Sequence, residues 1–212
     1  MEITWYGHAC FRLRERDVTI VTDPYDSSIG YKLPRIRADI VTISHDVPDH
    51  NHAQGVRGNP KVLNGPGEYE IKGVFITGIP TLYGRKRGTP KERNVVFVFE
   101  FQELTVCHLG DLAHVLTQSQ IEALSDIDVL LIPVGGGEIL DAGQAAEVIS
   151  LLEPRLVIPM SYRTKETTLK LAPVSSFLKT MGRSRPPVQD VLKVTRSKLP
   201  EETQVVLLQC KQ

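Results

Sequence analysis

The stretch Ser44-His45-Asp46-Val47-Pro48-Asp49-His50 decides how this chain is read. It follows directly on the apolar run Ile40-Val41-Thr42-Ile43. Residues 39–44 read as a strand buried on both faces. That strand delivers two imidazoles and two carboxylates to one turn. Val47 stands among them, and its side chain cannot bind a metal.

Working outward, the N-terminal third reads as strands and turns. Residues 2–6, 10–13 and 18–22 are short strands, and Asp23-Pro24 ends the third. Residues 33–36 form a loop. Residues 62–63 and 74–79 are further strands, punctuated by Gly65-Pro66-Gly67 and Gly73. Residues 81–93 form a polar, basic loop. Residues 94–101 and 104–108 pair as a hairpin turning at Gln102-Glu103.

The second half alternates strand and helix. Thr117 opens a helix running to Leu124, with Gln120 completing a capping box. Residues 128–134 form an apolar strand ending in Gly135-Gly136-Gly137, for which close backbone packing is the reading. Residues 141–152 form a helix with Ala145, Val148, Ile149 and Leu152 on one face. A strand at 156–159, a helix at 174–181 and a last strand at 204–208 follow. Residues 39–45 and 128–135 each run from an aspartate through an apolar core into a turn, as a two-layer sandwich with outer helices requires.

Composition bounds the function. The chain has 212 residues, 41% of them hydrophobic and 24% charged, a soluble globular balance. Residues 1–212 are expected to form a single domain. Its 25 basic and 25 acidic residues cancel, which argues against nucleic acid or a membrane as partner. Cys10, Cys107 and Cys210 are too far apart for a thiolate zinc knuckle. Reduced cysteines, and a start without the marks of a signal peptide, lead us to expect a cytoplasmic protein. Self-association is left open.

Six pieces in order resemble the metallo-β-lactamase superfamily, in its branch similar to ascorbate-6-phosphate lactonase and other zinc-dependent hydrolases. They are Trp5-Tyr6-Gly7-His8-Ala9, Thr22-Asp23-Pro24, Ser44 to His50, His108-Leu109-Gly110-Asp111, Leu131 to Gly136, and Ile158-Pro159-Met160-Ser161-Tyr162. The resemblance implies an αββα four-layer sandwich and a site for two metals. Matched by position, His45, Asp49, His50 and Asp111 stand at ligand positions. Val47, Tyr83 and Ser161 stand where histidines are expected, so the set is degraded. At most one zinc or manganese ion is expected, or none. His8 and His108 are expected to support the ligands from behind.

Two functions follow. One is a metal-dependent hydrolase acting on a small anionic ester, lactone or phosphodiester through a metal-bound hydroxide, with Asp49 and Asp111 catalytic. The other is a non-catalytic binding or regulatory protein on an enzyme fold. Arg85, Lys86 and Arg87, with Arg163 after Ser161, read either as a solvated surface or as a site for an anionic ligand.

Overall fold

A computed structural model describes residues 1–84, 92–124, 126–184 and 186–212. The first five strands are β1 (Glu2–Trp5), β2 (Phe11–Glu15), β3 (Val18–Thr22), β4 (Ile40–Thr42) and β5 (Lys61–Leu63). Then come β6 (Gly67–Ile71), β7 (Val74–Tyr83), β8 (Glu92–Glu100) and β9 (Thr105–His108). Helix α1 (Gln118–Ala123), β10 (Val129–Pro133), α2 (Ala142–Leu152), β11 (Leu156–Met160) and α3 (Val174–Thr180) follow. The tail holds β12 (Val188–Gln189), β13 (Leu192–Lys193), β14 (Gln204–Val205) and β15 (Leu207–Leu208).

Two sheets form the sandwich. The first has the order β13-β1-β2-β3-β4-β5 and the second β14-β11-β10-β9-β8-β7-β6. Each is antiparallel on one side and parallel on the other: β3, β4 and β5 run parallel, as do β9, β10 and β11. Burial follows the pleat. In β2, Phe11 and Leu13 face the core while Arg12 and Arg14 face outward. The central parallel strands β4, β10 and β11 are buried throughout, as unbroken apolar runs must be.

The two aspartate-led strands do the same job in both sheets. The Asp39 carboxylate accepts from the Thr19 amide at 2.9 Å, and the Asp39 amide donates to the Thr19 carbonyl at 2.9 Å. The Asp128 carboxylate accepts from the Thr105 amide at 2.8 Å, and the Asp128 amide donates to the Thr105 carbonyl at 3.0 Å. Each aspartate carbonyl then accepts from the next parallel strand, from Lys61 or Leu156, both at 2.8 Å. The halves are therefore structural repeats although their sequences do not repeat. The clasp sets the register of three parallel strands at once, and hence where their far ends fall.

The outer layers differ. Helix α2 turns Ala145, Val148, Ile149 and Leu152 into the main core, and Asp141 caps it with Gln144 in a capping box. Over the first sheet the cover is largely irregular chain. Tyr25, Ile29, Tyr31 and Ile36 pack there with Val21, Val41 and Ile43 in a second apolar cluster. Gly135 runs so close to the Ser161 carbonyl that a Cβ would fall 2.1 Å from it, so close backbone packing holds for that glycine, while Gly136 and Gly137 have room around them and take left-handed turns at φ 70° and 73°.

Several elements depart from expectation, among them the short strands β12 and β13, which the sequence does not announce. Strand β6 is an edge strand whose Glu68 and Glu70 are exposed, and the polar sequence hides it. Strand β7 continues past residue 79 to Tyr83, because its register with β8 extends to Glu92. The expected strand at 204–208 is two, β14 beside β11 and β15 beside β12. Apolar residues there do not reveal that the chain changes sheets.

Removing either clasp tests its role. Asp39→Ala and Asp128→Ala are each expected to cost about 1–3 kcal/mol in urea unfolding, by leaving a strand amide unpaired. The Asp39 carboxyl sits below its usual pKa, chiefly because Lys72 donates to it. Its contribution is therefore present above the usual carboxylate range and lost as pH falls through the lowered value. Asp39→Asn should show a urea midpoint deficit at neutral pH that shrinks in acid.

Candidate metal centre

Strand ends of both sheets meet at one point. The Ser44 carbonyl, beyond β4, accepts from the Val95 amide of β8 at 2.8 Å, tying the sheets together there. Asp23, just past β3 and fully buried, holds Ser44 twice: Oδ1 accepts from the Ser44 amide at 2.7 Å and Oδ2 from its hydroxyl at 2.6 Å. Since that hydroxyl donates to Asp23, its oxygen is left to accept from His45 Nδ1, 3.1 Å away. The relay Asp23–Ser44–His45 puts the His45 proton on Nδ1. It leaves the Nε2 lone pair free to bind a cation.

Asp111 is placed from the other sheet. Asn94 on β8 is fully buried and accepts from the Asp111 amide at 3.0 Å. It donates to Leu109 O at 3.0 Å and Thr81 Oγ1 at 2.7 Å. Gly110 (φ 58°) lies so close that a Cβ would fall 2.4 Å from Asn94 Oδ1 and 2.5 Å from Ser44 Cβ. Only glycine allows that approach. His108 donates from Nε2 to Ala9 O at 2.8 Å and accepts on Nδ1 from the Gly110 amide at 3.2 Å. Burial lowers its pKa, so it stays neutral and props the turn before Asp111.

These supports bring His45, His50 and Asp111 together, and His8, Asp49 and His50 beside them. In each trio the ligand atoms lie within 4.8 Å of one another. His50 Nε2 is 3.3 Å from Asp111 Oδ1, and Nδ1 is 3.3 Å from Asp49 Oδ1. His8 Nε2 is 3.4 Å from Asp49 Oδ2, and His45 Nε2 is 3.9 Å from Asp111 Oδ2. Both ring nitrogens of His8 and His50, His45 Nε2 and Asp111 Oδ1 are buried and have no hydrogen-bond partner among the described residues. Donors bound about 2.1 Å from one ion at the tetrahedral angle sit about 3.4 Å apart. The closest contacts match that spacing, and so many orphaned donors fit a cation better than a polar core.

Charge is arranged accordingly. Burial opposes a proton on His50, but Asp111, Asp23 and Asp49 together outweigh it and raise its pKa well above the usual value. Burial and the charge of His50 push His45 down to about 4, so it stays neutral. Burial works against ionising Asp49 and Asp111, yet the histidines around them keep both carboxyls well below the usual range.

The expected histidine positions differ in fate. Tyr83 packs against His45 with ring centroids 4.7 Å apart and planes tilted by 32°, and burial pushes its hydroxyl up to about 12. Ser161 is buried beside His8, to whose carbonyl its amide donates at 3.2 Å. Val47 lies on the turn between His45 and His50 and is half-buried. Arg163 is exposed, two residues beyond Ser161. Arg85, Lys86 and Arg87 lie outside the described residues.

A sequence model of the Beta-lactamase superfamily domain matches residues 2–161. The chain belongs to the metallo-β-lactamase superfamily. It is 42% identical to a candidate zinc-dependent hydrolase of that superfamily from Thermotoga maritima, covering 98% of this chain and 97% of that one with a TM-score of 0.82. It is 28% identical over 200 residues to a metal-dependent hydrolase of Methanopyrus kandleri, covering 77% of this chain and 85% of the relative. An isothiocyanate hydrolase from Delia radicum gut bacteria shares the fold alone, at 13% identity and a TM-score of 0.71. Among the described residues no helix is long and apolar enough to cross a membrane.

Sequence reasoning quoted Asp23 but gave it no role, and it passed over Asn94. Asp23→Asn is expected to weaken metal binding roughly 10–100-fold, by breaking the relay that sets the His45 tautomer. A chelator-competition titration measures this. Unchanged affinity would show that the relay does not govern His45.

Proposed function

We propose that this chain is a metal-dependent hydrolase that holds one zinc or manganese ion with His45, Asp49, His50 and Asp111. Its substrate is a small anionic ester, lactone or phosphodiester. The convergence of buried, unpartnered imidazole nitrogens and a carboxylate oxygen at the joined strand ends carries this reading. Membership of the superfamily and its metal-dependent relatives support it. His50 belongs to both donor trios, and a neutral imidazole has one lone pair, which favours one ion over two.

A bound ion there supplies Lewis acidity and lowers the pKa of water. The protein's own groups do the rest. Asp49 and Asp111 remain carboxylates, able to accept hydrogen bonds from an incoming water and orient it. Asp49 is the more open of the two, its side chain 24% exposed against 8% for Asp111, so it faces the approach. Tyr83 covers one side of His45 and keeps its hydroxyl proton, a donor for a substrate oxygen. An anionic substrate is supported by Arg163, two residues beyond Ser161, and by the basic residues Arg85, Lys86, Arg87 and Lys91 in the sequence between β7 and β8.

The second reading is a binding protein without turnover, favoured by Val47, Tyr83 and Ser161 at the histidine positions. One experiment separates the two. Protein purified without a metal-binding tag or chelator is analysed by elemental mass spectrometry and assayed on lactones, carboxylic esters and phosphodiesters. We expect about one equivalent of metal, turnover lost on chelation, and at least a roughly 100-fold loss in Asp111→Asn. Turnover that survives chelation, or no metal after incubation with excess zinc or manganese, would overturn the proposal. Metal without turnover on any of these substrates would favour the second reading.

A further inference from the structure

We propose that His8 is itself a metal ligand, taking the part that an imidazole at position 161 would otherwise play. This rests on the metal-dependent reading above. Nothing in the sequence marks His8 for that role, because the Gly7-His8 turn lies far from the ligand motif in the chain.

The argument begins with how this protein treats a histidine that is only structural. His108 is fully buried, and both of its nitrogens are spoken for, by Ala9 O and by the Gly110 amide. That is the normal state of a buried imidazole. His8 is equally enclosed, 3% exposed, yet neither nitrogen has a hydrogen-bond partner among the described residues. Nδ1 is left buried and unpaired and Nε2 faces only the Asp49 carboxylate, an arrangement that costs stability unless something else engages the ring.

What they face is the ligand cluster. His8 Nε2 lies 3.4 Å from Asp49 Oδ2, the spacing of two donors around one ion rather than of an aligned hydrogen bond. The His8 ring meets His50 edge-on with centroids 4.7 Å apart. With Asp49 and His50, His8 forms a complete trio of candidate donors.

The backbone of residue 8 is held to present that ring. Its φ is 48°, a left-handed conformation that is uncommon for any residue other than glycine. The turn persists because the His8 carbonyl accepts from Trp5 Nε1 at 2.9 Å and from the Ser161 amide at 3.2 Å. Ser161 (φ 50°) is therefore joined directly to His8, and its own short side chain is buried with Oγ unpartnered. A serine at 161 cannot reach a metal as an imidazole would, and the adjoining residue carries the ring instead. The strain at residue 8 and the serine at 161, where the resemblance leads one to expect a histidine, then have one explanation.

The test is zinc affinity of the full chain, measured by competition with a chromophoric chelator, together with the thermal midpoint of the metal-free protein. His8→Asn is the variant of choice, since asparagine tolerates a left-handed φ better than most residues. We expect His8→Asn to weaken zinc binding at least about 10-fold while leaving the metal-free midpoint unchanged or raised. His52→Asn, on the neighbouring turn but outside both trios, should bind zinc as wild type does. If wild type binds zinc and His8→Asn binds it equally well, His8 is no ligand and this inference falls while the metal-dependent reading stands. If wild type binds no zinc, the titration is repeated with manganese, and if it binds neither, both fall. A metal-free His8→Asn protein that melts well below wild type would show a structural imidazole and also overturn the inference.

Discussion

Everything at the site hangs on the buried carboxylate of Asp23 gripping Ser44. It accepts from the Ser44 amide at 2.7 Å and from its hydroxyl at 2.6 Å. Through the hydroxyl it fixes the His45 tautomer. Through the Ser44 carbonyl, bonded to the Val95 amide, the gripped residue locks one sheet against the other. A carboxylate with no exposed surface is costly unless hydrogen bonds and nearby positive charge compensate it. Here two strong donors do so directly, and His50 Nε2 lies 3.8 Å away. The same group thus serves folding, sheet assembly and ligand preparation.

The wider fold serves that point. The aspartate clasps at the other end of each parallel trio fix the register, and the strand rise then places Ser44, Asp111 and Ser161 at one end of the sandwich. Sites built on strand ends are held more precisely than sites on free loops. Three carboxylates, Asp23, Asp49 and Asp111, and the histidines His8, His45 and His50 crowd there in a chain whose formal charge is zero. Negative charge is therefore concentrated locally, while the 25 basic and 25 acidic residues of the whole chain cancel.

The sandwich was legible because its strands carry clear period-two or fully apolar patterns, and because six ordered pieces match a family. The aspartate-led strands were visible as a pair, though their shared clasp was not. Hydrogen bonds from Asp39 to Thr19 and from Asp128 to Thr105 span about 20 residues and leave no periodic trace. Strand β6 escaped although Glu68-Tyr69-Glu70-Ile71 alternates, because only two apolar residues mark it between Gly67 and Gly73. The motif residues His45, Asp49, His50 and Asp111 were all read from sequence. The supports Asp23 and Asn94 had no such signal, since a lone aspartate or asparagine is more often a turn residue. His8 was visible only as a neighbour, because its orphaned nitrogens exist only in three dimensions.

The central claim is that joined strand ends of two sheets build a single cation site. Anomalous diffraction at the zinc edge, from crystals of the full chain grown with zinc, tests it most directly. The account predicts one strong peak bounded by Asp49, His50 and Asp111, with the His8 and His45 nitrogens both within bonding distance. A cluster without a peak, its imidazoles instead hydrogen-bonded to the carboxylates or to ordered water, would contradict it.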